Sequence, residues 1–545
     1  MPYSLPKLEL YRDIRLLLPW PSARSVVILL ASLFIAYFLN LYRYFRLAVL
    51  SINDFPGGRT VFSVELILNR FFGSIPGVLL SADYSWTERY DPYEKARWDI
   101  HSTIAAWPRG STSLWLADAD AIKEVTSSRV RFPKPVDMYA VLKVFGPNIV
   151  GSEFDEWKKF RRITAPAFSE RNNKYVWDAT VRVMMNVFEN SWGWRDEITV
   201  DHATELTLPI ALSVLAVAGF GSPIDFIEEK DEAPLRPGHD MSFKQALHIV
   251  AKDIWIKLVL PEWAYGLYPR FRRMRKAFAE VELYMREMIY ERRTLGKTED
   301  RFDLFGLLLD GNDNPGVDEN VTLTDDELLG NLFIFLLGGH EASAHTLCFT
   351  FAALALYQEE QEILYQQILK VLPSDKTPSY EDMHSLTQSM AVFNETLRMF
   401  SPVNVIPKYS AEDTILTASS ANGDQMQIPV PKGTKLFIHT PGLHYNPRYW
   451  PEPETFKPGR FLGDWPRDAF MAYSAGSRGC MGRKFFETEG VAVLTLIVKY
   501  YKITVKDEPQ FASETFGERK ARIFNARNIL TLTPNRVPLS FSRRR

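Results

Sequence analysis

Apolar residues first concentrate between Ser25 and Tyr42, eighteen positions without a charge, closed by Arg24 and Arg43. That length is near the lower end for a membrane-spanning helix. A cleaved signal peptide has a shorter apolar stretch and a small-residue cleavage site. Neither is evident, so the pattern predicts a retained single-pass anchor. Lys7, Arg12, Arg15 and Arg24 precede the span and Arg43 and Arg46 follow it, which leaves its orientation open. A further apolar run, Leu16–Trp20, suits the membrane interface. Phe55-Pro56-Gly57-Gly58 then breaks the chain. No composition shift, repeat or low-complexity tract follows. The chain therefore divides into an N-terminal segment (1–24), an anchor (25–42), a linker (43–59) and one large domain (60–545).

Within that domain, Ile104–Trp107 and Ser113–Leu116 are short apolar runs joined by Pro108-Arg109-Gly110, which predicts a hairpin. Asp118 has the position of an N-cap for a short helix. From Glu153 to about Leu369 the spacing is largely helical, most clearly over Val181–Trp194, Arg272–Arg293 and Asp325–Gln366. Thr324-Asp325-Asp326-Glu327 reads as a capping box, and the helix it starts is apolar nearly all round, hence buried. Short strands are expected near Lys435–His439 and Asn528–Thr533, and the apolar run Val491–Val498 predicts a late helix. The fold class is mainly α with minor β.

Composition narrows the function. Hydrophobic residues make up 46% of the chain, ample for a large core. The 64 basic and 66 acidic residues give a net charge of −2, with no electrostatic footprint for nucleic acid. Two cysteines cannot build a disulfide framework, so the domain suits a reducing compartment. His340 and His345 are five apart on a helix and do not share a face well, and with no further His or Cys ligands nearby the pattern argues against a zinc site there.

One of the two cysteines, Cys480, lies in Tyr473-Ser-Ala-Gly-Ser-Arg-Gly-Cys-Met-Gly482. Glycines at 476, 479 and 482 bracket it and suggest a tight loop presenting one sulfur. A following helix N-terminus, with Arg478, Arg483 and Lys484, would favour a thiolate. The competing reading is an inert cysteine in a glycine-rich turn. Upstream, Glu395 and Arg398 sit at i and i+3, and Pro458-Gly459-Arg460-Phe461 lies between them and Cys480. Trp157 and Arg161 share a helix face and together suit carboxylate binding. Gly338-Gly339-His340-Glu341-Ala342-Ser343 places two glycines inside a buried helix, which suggests a kink or a ligand close to the backbone.

Together these stretches resemble the cytochrome P450 family over roughly residues 60–545. Tyr473–Gly482 is similar to its haem-binding signature, Phe-x-x-Gly-x-Arg-x-Cys-x-Gly, with Tyr473 in place of Phe. The resemblance implies the P450 fold, haem b held by Cys480 as axial iron ligand, and cofactor contacts from Arg478, Trp157, Arg161 and Gly476. It implies a structural triad of Glu395, Arg398 and Arg460, with Gly459 replacing a common Glu beside it. Asn394-Glu395-Thr396 is also a glycosylation sequon, but a sugar there would clash with the triad. Val403–Ile406, Leu530–Thr531 and Phe132–Gly151 correspond to segments lining the substrate pocket. Leu258–Tyr268, with Trp263, Tyr265 and Tyr268, falls where the family touches the membrane surface. Lys158, Lys159 and Arg162, pointing to solvent, would join Arg483 and Lys484 in a basic face for an electron donor.

Glu341, Ala342 and Ser343 fall on the family's oxygen-activation motif, and its hydroxyl-bearing position holds Ala342. Ser343 projects about 100° further round and reaches in only if the helix is distorted. Other routes are a substrate hydroxyl, a water, or a reaction needing no controlled protonation. The implied activity is NADPH-dependent monooxygenation of a hydrophobic small molecule, such as a terpenoid or other secondary metabolite. NADPH–cytochrome P450 reductase would supply electrons to an enzyme of fungal type. The expected location is the endoplasmic reticulum membrane, with the domain cytosolic. An isomerase or dehydratase of the same fold and a non-catalytic haem or ligand-binding protein are the alternatives.

Overall fold

The computed structural model describes residues 23–221, 235–294, 303–373 (less 314–321) and 376–544. The run Leu16–Trp20 lies outside them. An N-terminal helix spans Ala23–Ser51, and its apolar window has mean hydropathy 2.1 with none of it buried. Only its last turns dock: Ala48 and Val49 are buried against the first sheet.

That sheet has five strands. Gly57–Phe62 runs parallel to Ile100–Trp107, which pairs antiparallel with Ser111–Leu116. Ser111–Leu116 in turn runs parallel to Lys435–His439, and Val405–Tyr409 closes the edge antiparallel. The hairpin expected at Pro108-Arg109-Gly110 forms, with Arg109 and Gly110 at φ 43° and 63°. A side chain on Gly110 would meet the Tyr44 carbonyl at 2.6 Å, so the turn packs directly against the N-terminal helix. Asp118 caps Ala119–Ser127, its Oδ1 accepting from the backbone of Asp120 and Ala121 at 3.0 Å each, a contribution of about 1 kcal/mol.

The helical body surrounds a central helix, Asp325–Leu356, which starts at the Thr324–Glu327 capping box and is buried over most of its length. It packs against the helices Thr204–Val214, Pro269–Thr294, Thr387–Met399 and Arg483–Tyr500. The helical pattern expected to Gln366 is in fact two helices, the second being Gln358–Val371, separated at Tyr357 with φ −104° and ψ 74°. Gln358 Nε2 donates to the carbonyls of Leu354 and Ala355, and Gln358 and Gln361 both donate to Ile503, so a neighbouring strand fixes the break. The helix expected over Val181–Trp194 runs Glu170–Asn186 and loosens into a π turn at Val187–Ser191. The strand expected at Asn528–Thr533 is a hairpin instead, Ala526–Asn528 pairing with Leu532–Pro534 across a turn that carries Leu530 and Thr531. In the segment Leu258–Tyr268, Tyr265 is buried while Trp263 is 75% exposed, with Leu267 and Tyr268 also on the surface.

Candidate active site

Cys480 is presented by its own backbone. Its N–H donates to the Tyr473 carbonyl at 2.9 Å, closing the loop. Ser474 and Gly476 both adopt positive φ, 60° and 65°. A Cβ on Gly476 would lie 2.4 Å from the Thr126 carbonyl, so this position must be glycine. The thiol is accessible, and the helix Arg483–Tyr500 begins just beyond it. Burial raises its pKa; the N–H of Gly482 and the charges of Arg161 and Arg483 pull it down without cancelling that effect. Cys348 is fully buried in the central helix, and burial alone raises its thiol far above the usual range.

Trp157 and Arg161 lie on Phe154–Thr164. Trp157 is sandwiched by Arg478 and Arg129, 4.4 and 4.5 Å from its ring centre. Arg478 pairs with Glu153 at 2.7 Å and donates to the Ile149 carbonyl at 3.2 Å. Its Nε is buried without a partner among the described residues. Lys134 and Lys408 belong to the same cluster. Burial lowers them to about 7 and about 8, and Arg478 repels both while Glu153 attracts them. Arg161 makes no ion pair among the described residues. Four basic side chains, Arg129, Lys134, Lys408 and Arg478, thus gather about the single carboxylate of Glu153, an excess that suits a ligand carrying two carboxylates. Haem has two such groups, and the orphaned Arg478 Nε is a donor waiting for an acceptor, so the residues present fit it.

Arg129, Lys134, Lys408 and Glu153 escaped the sequence reading. The available signal was weak: Lys408 is a lysine inside a short strand, and it is buried. Lys159 was expected to be solvated. It binds both oxygens of Glu327, at 2.8 and 2.6 Å, and ties this helix to the start of the central one. Lys158, paired with the exposed Asp155, does face solvent.

Glu395, Arg398 and Arg460 meet below the loop. Arg398 binds Glu395 through Nε and Nη2 at 2.7 and 2.9 Å, and Arg460 Nε reaches the same carboxylate at 3.1 Å. The Lys457 N–H adds a fourth donor at 2.9 Å. His444 links this knot to the cysteine loop, Nδ1 on the Arg398 carbonyl and Nε2 accepting from the Met471 N–H at 2.8 Å. Asn394 is half-buried on the same helix, with its Oδ1 enclosed.

Phe168 joins the loop to the central helix: it stacks edge-on with Phe335 at 5.7 Å, and a Cβ on Gly482 would lie 3.7 Å from it. From Phe335 onward the buried helix opens on one side. Phe335, Gly338, Gly339, Glu341 and Ala342 are accessible between fully buried neighbours, and a Cβ on Gly338 would meet nothing within 4 Å. Gly339 packs against Leu215 instead. The glycines therefore serve an open face and a close packing contact, and the helix stays α-helical through both. With no distortion, Ser343 stays on the far side and donates to Glu489 Oε2 at 2.7 Å. It is not the hydroxyl that position 342 lacks.

Burial raises Glu489 to about 8, and the Ser343 bond only partly offsets this. Between about 4.5 and 8 the folded protein holds a proton that the unfolded chain has released, so stability falls as pH rises through that window. Replacing Glu489 with Gln is expected to flatten this slope and to stabilise the protein at pH 8 by about 1–3 kcal/mol. Denaturant titrations at pH 5 and pH 8 measure it; an unchanged slope contradicts the buried acid. Glu341, raised by burial to about 7, leaves a smaller slope of the same sign in the variant.

The Cytochrome P450 family model matches residues 73–523. Cytochrome P450 monooxygenase 124 from Postia placenta is 48% identical over 522 residues, covering 95% of this chain and 100% of that one. Cytochrome P450 monooxygenase prx9 from Penicillium rubens is 28% identical, covering 78% of each chain. Among solved structures, the cytochrome P450DA heme domain shares the fold with a TM-score of 0.71, at 22% identity over 90% of this chain and 98% of that one. With its family pattern spanning the domain and a monooxygenase relative matched along nearly the whole chain, this protein belongs to the cytochrome P450 family of monooxygenases.

Proposed function

We propose that this enzyme is a membrane-anchored haem-thiolate monooxygenase that places one atom of O2 into a hydrophobic small molecule. A terpenoid or other secondary metabolite fits an open helix face lined by Phe335, Gly338 and Ala342. The observation that carries the reading is the accessible Cys480 thiol, two residues from Arg478, which belongs to a group of four basic side chains about the single carboxylate of Glu153. Cys480 would hold the haem iron, and Arg478, Arg161, Trp157, Lys134 and Lys408 its carboxylates. Bound haem supplies oxygen activation, drawing electrons that originate in NADPH. Everything else falls to the chain: Gly476 keeps the loop tight against Thr126, the Glu395 knot supports it, the central helix walls the site from water, and Glu341 holds a proton near the reacting centre. A flavoprotein reductase at the same membrane is the fitting partner, with exposed Lys158, Arg483 and Lys484 offering positive charge to an acidic surface. The exposed apolar helix Ala23–Ser51 supports anchorage, and the endoplasmic reticulum with a cytosolic domain suits that partner.

The test is microsomal expression with a reductase and an untargeted product screen under ¹⁸O2, with and without NADPH. One ¹⁸O atom is expected per product, and only with NADPH. Product formed without NADPH would instead mark an isomerase or dehydratase. Ligand binding with no NADPH consumption would mark a binding protein.

A further inference from the structure

Resting on that reading, the structure also identifies a hydroxyl for the acid at position 341. Ala342 carries none and Ser343 is committed to Glu489. The hydroxyl that meets Glu341 comes from a different element. Thr531 sits in the turn between Ala526–Asn528 and Leu532–Pro534, and this turn is fixed over the central helix. The Leu532 N–H donates to the Pro402 carbonyl at 2.9 Å, and the Asn528 N–H to Asp83 at 2.6 Å. Thr531 Oγ1 lies 2.9 Å from Nδ1 of His345, and its side chain is close enough to Glu341 to hold that acid's titration down. Glu341 and His345 are one helical turn apart, so a single threonine can bridge both.

The direction of the bridge is set by the tautomer of His345. A threonine hydroxyl has one hydrogen. Burial and the neighbouring His340, His202 and His248 hold His345 near about 3, hence neutral. In the tautomer with its hydrogen on Nδ1, the neutral imidazole would donate to Thr531 Oγ1 and leave the threonine hydrogen for Glu341. The other carboxyl oxygen, Oε2, has no partner among the described residues. That oxygen is where a transferable proton resides when Glu341 is protonated. The titratable groups around this trio are His340 on the same helix, His202, His248 and, through Ser343, Glu489.

We propose that Thr531 is a positioning residue for proton delivery, supplying from the C-terminal hairpin the hydroxyl partner of Glu341 that position 342 lacks, with His345 orienting its hydrogen. The threonine bond favours the charged carboxylate, so removing it must push the acid's titration upward.

The test compares wild type, Thr531→Val and Thr531→Ser as full-length holoenzymes with reductase. The Glu341 carboxyl stretch is followed by infrared difference spectroscopy across pH in the resting protein and assigned by its loss in Glu341→Gln. Thr531→Val is expected to move the midpoint up by about one pH unit and to raise peroxide released per NADPH several-fold; Thr531→Ser should restore both. A midpoint unmoved in Thr531→Val overturns the hydrogen bond, and a moved midpoint with unchanged peroxide overturns the delivery role alone. Failure of serine to restore either quantity overturns the hydroxyl as the cause. A wild type that consumes no NADPH overturns the monooxygenase reading itself and the delivery role with it.

Discussion

Replacing Cys480 with alanine is expected to abolish both the red-shifted Soret band of the reduced carbon monoxide complex and all NADPH-dependent oxidation. The loop from Tyr473 to Gly482 converges on one sulfur. Two positive-φ residues, Ser474 and Gly476, turn the chain, and the Cys480 N–H fastens it to Tyr473. The Gly482 N–H and the charges of Arg161 and Arg483 are the groups that would favour the thiolate over the thiol. No other sulfur nucleophile can substitute: Cys348 is sealed in the central helix, where burial keeps its thiol protonated. Because thiolate donation gives that band its position, the spectrum reports the ligand independently of substrate. A red-shifted band surviving in Cys480→Ala would place the iron ligand elsewhere and remove the basis of the reading.

The parts of this site legible in the sequence are those encoded by short spacing. Cys480 with its glycines and Glu395 with Arg398 each occupy a few consecutive turns, and local geometry keeps such residues together in the fold. Asp118 and Thr324 were legible for the same reason, since a cap bonds backbone two or three residues away. Contacts between distant segments were not. Lys134, Lys408 and Arg129 reach Glu153 and Trp157 from a loop, a strand and a helix end, and nothing local in those stretches marks a cationic pocket. Tyr357 ends the central helix because Gln358 and Gln361 find a carbonyl on a strand more than a hundred residues away. Ser343 and Thr531 make the same point in opposite senses. One hydroxyl lies next to the expected position and faces the wrong helix, while the other arrives from a turn that the sequence pattern reads as strand.

Replacing Glu395 with alanine is expected to be the most destabilising single change outside the cysteine loop, by roughly 3–5 kcal/mol. Glu395 and Arg398 have fully buried side chains, 0% exposed each. The carboxylate accepts four hydrogen bonds, two from Arg398 and one each from Arg460 and the Lys457 N–H. Alanine leaves Arg398 charged, dry and without a counter-ion among the described residues, its remaining contacts being the carbonyls of His444 and Pro453 and the rings of Tyr445 and Trp450. Against a total stability of about 5–15 kcal/mol that loss is large. Its route to the active site is short, because His444 carries the Arg398 carbonyl on one nitrogen and the Met471 N–H on the other. Slackening Arg398 therefore loosens the entrance to the loop that presents Cys480. Arg460→Ala should be milder: its side chain is partly exposed, and Glu395 keeps Arg398. Urea unfolding of the detergent-solubilised chain measures the first effect, and the ratio of Soret to protein absorbance measures the second. A Glu395→Ala protein within about 1 kcal/mol of wild type, or one retaining full haem content, would show that the knot does not support the loop.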